Sequence, residues 1–154
     1  MWTYADIAST LVFFFLILNK ILFTHHNCSL VGSSNSLYLL LKGLNRNNYE
    51  PIVLITAPKG PLYDKLIALN IKVYFISGVV AYGHCNGGRL KLLGYPPLQS
   101  ITRLWKIPKT IRLVRGFLQK HPVDLVYVNS SVLWTVAFAS KELRIKTINH
   151  LRQQ

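Results

Sequence analysis

The chain has 154 residues, 51% hydrophobic and 15% charged, and its 18 Lys and Arg against 5 Asp and Glu give a formal net charge of +13. That composition supplies one core of ordinary domain size and excludes a disordered chain. The charge favours anionic partners, and nucleic acid is the least suited of them: the cations are scattered from Lys20 to Arg152, and the aromatics sit inside apolar runs rather than among the cations.

The chain opens on an apolar leader. "IASTLVFFFLIL" at 7–18 falls short of the ~20 residues that span a bilayer. Asp6 is the only charge upstream and no A-x-A site follows, so the pattern is not that of a secretory signal. Residues 1–19 therefore read as an apolar helix outside the fold, either membrane-associated or a mere extension. The expected location is cytoplasmic, with peripheral contact at the inner face of the membrane.

From Lys20 onward short apolar runs alternate with helical periods. "ILFTH" at 21–25 is continuous enough for a strand covered on both faces. The turn "SLVGSSNS" follows, with Ser33, Ser34 and Asn35 as candidate N-caps. Leu37, Leu40, Leu41 and Leu44 then mark one face of a helix. "PIVLIT" at 51–56 is a second strand, Gly60-Pro61 opens a short helix lined by Leu62, Leu66 and Leu69, and Asn70 stops it before a third strand, "IKVYFIS" at 71–77. Strands joined through helices imply crossover units and a parallel sheet.

Residues 78–100 break the rhythm with five glycines and two prolines, a connection long enough to suggest function or mobility. "ITRLWKIPKTIRLVRGFLQKH" reads as a helix kinked at Pro108. Ile111, Val114, Phe117 and Leu118 share one of its sides, and Lys109, Arg112, Arg115 and Lys120 lie mostly on the other. That basic face is either simply solvated or a contact for an anionic membrane surface. "VDLVYVNSS" at 123–131 is a fourth strand, "SVLWTVAFASKEL" a helix capped by Ser131, and "IKTINHLRQQ" opens as a fifth strand. The fold class is thus α/β, a Rossmann-like three-layer α/β/α arrangement around about five parallel strands.

No metal site is expected. His25, His26, Cys28, His84 and Cys85 show neither C-x2-C nor H-x3-H spacing, and carboxylates are scarce. Two free thiols and incidental imidazoles account for them. The turn at Gly32 is not a G-x-G-x-x-G fingerprint or a Walker loop, and a ribose-binding acid is missing, which disfavours a dehydrogenase. It still offers N–H groups at the start of a helix dipole, where anionic oxygen is attracted.

Taken in order, "ILFTHHNCSLVGSSNSLYLLLKGL", "APKGPLYDKLIALNIKVYFI", "PVDLVYVNSS" and "INHLRQ" resemble the amino-terminal domain of family 4 glycosyltransferases. These are GT-B enzymes that move sugars from nucleotide donors, and the resemblance covers residues 20–153. It implies two Rossmann-like domains facing across a cleft, the first mostly binding acceptor and the second the nucleotide sugar. The second domain's E-x7-E motif is not in this sequence, so residues 20–154 resemble a first domain that is incomplete at its carboxy terminus and inactive alone.

The resemblance also implies roles. Gly32, Ser33 and Ser34 form a loop toward the donor's diphosphate, although Val31-Gly32 stands where the family often has two glycines. His150 takes the position whose histidine contacts the donor sugar near the reacting carbon. Arg152 pairs with phosphate or a carboxylate, and Gln153 replaces the family's usual Glu. Asn129 and Ser130 line the acceptor pocket or cap the next helix, and His25 ends the first strand at the same edge as a substrate-binding candidate. The complete enzyme would be a retaining transferase that uses a nucleotide sugar as co-substrate, with no cofactor, and a glycan or lipid-linked acceptor. The alternative is a non-catalytic Rossmann-like module that pairs with a separate donor-binding chain.

Overall fold

The computed structural model describes residues 19–30, 32–81 and 105–150. Residues 1–18 of the apolar leader, most of the glycine-rich stretch after residue 78, His84, Cys85, Arg152 and Gln153 lie outside them, and Asn19, placed with the leader by its sequence, begins the first strand. In chain order the elements are β1 (Asn19–His25), α1 (Ser33–Lys42), β2 (Tyr49–Ile55), α2 (Pro61–Ala68), β3 (Lys72–Phe75), α3 (Ile107–Lys120), β4 (Leu125–Val128), a 3-10 turn (Ser131–Leu133), α4 (Trp134–Glu142) and β5 (Lys146–Asn149).

All strand pairs are parallel and the five-stranded sheet has the order β3-β2-β1-β4-β5. Alternation along the central strands divides the core in two. Leu22, Ile52, Leu54, Val126 and Val128 point to one face and pack with Val114, Phe117 and Leu118 of α3 and Val136 and Ala139 of α4. Ile21, Phe23, Val53 and Ile55 point to the other, against Leu37 and Leu41 of α1 and Leu62 and Leu66 of α2. The result is the expected Rossmann-like three-layer α/β/α fold. Burial of a side chain such as Leu22, at 0% exposure, contributes about 1.5–3 kcal/mol.

Polar contacts fix the margins. The Lys20 N–H donates to Asp124 Oδ2 at 2.7 Å, and the Asp124 N–H returns a bond to the Lys20 carbonyl at 2.9 Å, which ties the start of β1 to the lead-in of β4. Lys72 Nζ lies 2.7 Å from Glu50 Oε1 across β2 and β3. That hydrogen bond holds the Glu50 carboxyl below its usual range and lifts the Lys72 ammonium above its own. Asn70 stops α2 as expected, in the left-handed region at φ 55°, with its N–H on the Ile67 carbonyl.

Pro108 occupies the first turn of α3, where its missing N–H has no partner to lose, and residues 101–104 of the expected helix lie outside the described residues. Three local expectations are corrected. Gly32, not a serine, is the N-cap of α1, and Ser33, Ser34 and Asn35 lie inside the helix. Ser131 belongs to a 3-10 turn whose N-cap is Ser130, and Ser130 makes no side-chain cap bond. Strands β3 and β4 end at Phe75 and Val128, short of the apolar runs, with one further ladder bond beyond each, from the Ile76 N–H to the Ile55 carbonyl and from the Asn129 N–H to the Thr24 carbonyl.

Gly60 is required by close approach. A Cβ built on it would stand 2.9 Å from the Cys28 carbonyl oxygen. That same oxygen accepts the Leu62 N–H at 2.9 Å, so the loops after β1 and β2 are in backbone contact. Gly60→Ala is expected to lower stability by about 1–3 kcal/mol in urea unfolding, because the contact is with backbone that cannot swing away. Arg144 is the converse case: it ends α4 at φ 57° with its N–H on the Lys141 carbonyl. Arg144→Gly relieves the Cβ clash of that conformation and is expected to raise stability by about 1 kcal/mol in the same assay.

Candidate functional site

In the order β3-β2-β1-β4-β5 the chain builds outward from β1 in one direction and then returns to lay β4 on its other side. The seam between β1 and β4 is therefore the topological switch point, and the crevice beyond the carboxyl ends of the strands is where open parallel sheets take ligands. The ladder runs one rung past the strands here: the Thr56 N–H bonds the His25 carbonyl, Asn129 the Thr24 carbonyl and His150 the Val128 carbonyl. That rung sets His25, Asn129 and His150 side by side along one edge.

At the seam a buried network fixes the start of α1. The Asn129 side-chain nitrogen lies 3.1 Å from the Ser33 carbonyl oxygen and 3.2 Å from His25 Nδ1. A carbonyl only accepts, so this atom is the amide nitrogen, and its two hydrogens serve both partners. His25 Nδ1 then accepts, Nε2 carries the ring proton, and that N–H meets Ser34 Oγ at 2.8 Å. His25, Asn129 and Ser34 are each fully enclosed, so His25 touches the helix it positions rather than solvent.

Gly32 stands outside this network at φ 49° and ψ −111°, and a Cβ added to it would meet nothing within 4 Å, so crowding does not explain the glycine. Its backbone conformation is the reason: it is one that side chains other than hydrogen disfavour. No side-chain cap bond is made at Gly32 and no acid lies in the first turn of α1. The helix thus presents its positive end at the switch point with no acidic side chain in its own first turn to neutralise it.

His150 closes the row. Its Nδ1 is hydrogen-bonded to the Tyr127 hydroxyl, and the two rings meet edge to face. The Tyr127 hydroxyl can donate to Nδ1 or accept from it, and when it donates the ring proton of His150 is on Nε2, a donor for a ligand oxygen. Tyr127 is itself set by Phe23, 5.3 Å away between ring centroids. Ser130 is 8% exposed at the end of β4. On the β2 side, Lys59 lies 4.7 Å over the Tyr63 ring and adds a cation to the rim.

The structure thus gathers Gly32, Ser33, Ser34, His25, Asn129, Ser130 and His150 at one edge, as the parallel topology required, and Arg152 falls outside the described residues. Tyr127 and Lys59 were not singled out from sequence. Tyr127 was accessible to that reasoning, since it shares a face of β4 with Asn129 two residues on and pairs with Ile148 of β5. Among the described residues no group of three His, Cys, Asp or Glu is placed to hold a metal ion.

No protein-family model matches the chain, and no curated protein matches its sequence. Solved structures do match its fold. The structure of Anabaena HepE in complex with UDP and glucose aligns with a TM-score of 0.51 and 22% identity over 86% of this chain and 29% of that one. Acinetobacter baumannii MurG aligns at 0.56 and 19% identity over 87% of this chain and 35% of that one. A carboxy-terminal domain of the Pyrococcus furiosus PF1911 hydrogenase aligns at 0.53 and 14% identity over 86% and 91%. The chain therefore spans about a third of the length of HepE and MurG, and nearly all of the hydrogenase domain. These likenesses establish the Rossmann-like fold, which is shared with domains of glycosyltransferases.

Replacing Asn129 tests the seam. Asn129→Leu leaves the Ser33 carbonyl and His25 Nδ1 buried without their donor, and is expected to lower stability by about 2–4 kcal/mol in urea unfolding. Imidazole nitrogen shifts in the unaltered protein are expected to show His25 with its proton on Nε2.

Proposed function

We propose that this chain is the acceptor-side, amino-terminal half of a retaining family 4 glycosyltransferase of the GT-B type, and that it does not transfer sugar alone. The observation that carries this reading is the uncapped start of α1 at the switch point, clamped by Asn129 and flanked on the same edge by the His150 imidazole. The fold shared with glycosyltransferases, and the span of about a third of HepE and MurG, support it. The donor-binding lobe would close over this edge from another part of the protein or from a second chain.

In this reading the backbone N–H groups at Gly32, Ser33 and Ser34 receive the diphosphate of a nucleotide sugar. His150 Nε2–H donates to a sugar hydroxyl and orients the ring. His25 and Asn129 act by holding α1, while Ser130 and Arg152 complete the pocket. In the full enzyme the bond from the anomeric carbon to the diphosphate oxygen breaks, with its electron pair leaving on the diphosphate. A new bond forms to an acceptor hydroxyl, whose proton is lost, with anomeric configuration retained. Leaving-group charge is met by the helix end and basic side chains. The acceptor is a glycan or a lipid-linked glycan.

A second reading has one observation in its favour. The match to nearly the whole of that hydrogenase domain supports a unit of this size as a domain of its own, which suits a non-catalytic module paired with a separate donor-binding chain. Stable co-purification with such a chain distinguishes it.

Titration with UDP tests the main reading. Backbone amide shifts are expected at Gly32, Ser33, Ser34 and His150, with weak, millimolar-range affinity, and Gly32→Ala is expected to weaken binding several-fold. No sugar transfer is expected from UDP-glucose to any acceptor. Shift changes confined to another edge, or turnover by the chain unaided, would overturn it.

A further inference from the structure

The helical layer of α3 and α4 carries a surface that neither the core nor the candidate site uses. Residues 105–120 contain five Lys and Arg and no acid, and residues 134–144 contain two more against Glu142 alone. The inner side of α3, formed by Thr110, Val114, Phe117 and Leu118, is buried, which leaves Lys109, Arg112 and Arg115 on the outside. Large exposed aromatics accompany them, one just before α3 and two on α4. Trp105 is 80% exposed, Phe138 47% and Trp134 39%.

The two helices form one surface. A groove of about 500 Å³ is lined by Ile107, Pro108, Ile111 and Gly116 together with Arg112, Arg115, Gln119 and Glu142. Arg115 Nη1 lies 3.9 Å from Glu142 Oε2, so α4 borders the groove. Trp134, Phe138 and Glu142 are spaced four residues apart and follow one stripe of α4. Trp134 comes four residues after Ser130, and Trp105 precedes the start of α3, so the tryptophans sit at the start of their helices.

We propose that this α3–α4 face docks on an anionic lipid bilayer, with Trp105, Trp134 and Phe138 entering the interfacial region and Arg112, Arg115 and Lys109 pairing with lipid phosphates. The chemistry of the surface selects this occupant. Tryptophan and phenylalanine beside long cationic side chains suit the boundary between headgroups and acyl chains. The excess of positive charge complements an anionic leaflet and would repel a second copy of the same face. Among the described residues no helix is long and apolar enough to cross a membrane, so the contact is made along the surface of the layer. The inference stands apart from the transferase reading, and it sets the rim of the candidate site beside the bilayer.

Co-sedimentation of the full chain with phosphatidylcholine vesicles, with and without phosphatidylglycerol, tests the proposal. Binding is expected to require the anionic lipid and to fall with added salt. R112Q/R115Q is expected to weaken it roughly 10–30-fold, from about fivefold per cation near the surface, while R112K/R115K retains it. W134S/F138S is expected to weaken it about tenfold at unchanged charge. Hydrogen exchange is expected to slow in α3 and α4 when vesicles are added. Circular dichroism confirms that each variant is folded, as exposed substitutions allow. All variants keep the apolar residues 7–18, so binding that is indifferent to the face substitutions would assign attachment to that segment and overturn the proposal. Equal binding to neutral vesicles would also overturn it, as would a lipid-free dimer dissolved by W134S/F138S, which would give the face to a second copy.

Discussion

Much of this molecule depends on the side-chain amide of Asn129. Its two hydrogens bind the Ser33 carbonyl and His25 Nδ1, and through the imidazole the effect reaches Ser34. One group thereby joins the ends of two strands to the first turn of a helix, entirely out of contact with solvent. In so enclosed a place each partner is tied to the others, because a lost donor cannot be replaced by water. The clamp is specific as well as strong. A carbonyl oxygen on one side and a ring nitrogen on the other both accept, and the primary amide supplies one hydrogen to each.

The clamp matters because of where the sheet places it. A parallel sheet laid outward from β1 in both directions has one seam where the neighbouring loops diverge, and β1 and β4 meet there. Those loops frame the crevice at which open parallel sheets take ligands, and the start of α1 stands beside it with no acid in its own first turn. His150 reaches the same crevice from β5, steadied by Tyr127 and, behind it, Phe23. The polar rim and the apolar core are therefore continuous. The face that packs α1 and α2 also supplies the side chains that end at the crevice.

How much of this could be read from the residues follows from the kind of physics involved. The layer order and parallel sheet were legible because continuous apolar runs such as Ile52 to Ile55 and the spacing of Leu37 and Leu41 report burial directly. The gathering of Gly32, Asn129 and His150 at one edge was also legible, since every strand of a parallel sheet delivers its following residue to the same side. The capping of α1 was not. Serines before a leucine-spaced helix usually cap it, and only the position of β4 reveals that Ser34 is turned inward to His25. Lys59 stayed hidden because its place over the Tyr63 ring depends on loop geometry, whereas Tyr127 could have been found from its place two residues before Asn129 on β4.

The contact between Gly60 and Cys28 has a further consequence. The Cys28 thiol is 4% exposed and lies 3.5 Å from the Gly60 carbonyl oxygen, which its S–H meets. An alkylating reagent can reach that sulfur only in the moments when the first two loops of the rim separate. Cys28 is therefore a built-in clock for rim breathing, whose rate of modification measures how often the crevice loosens. Any anion that tightens the loops would slow the clock without touching the sulfur at all.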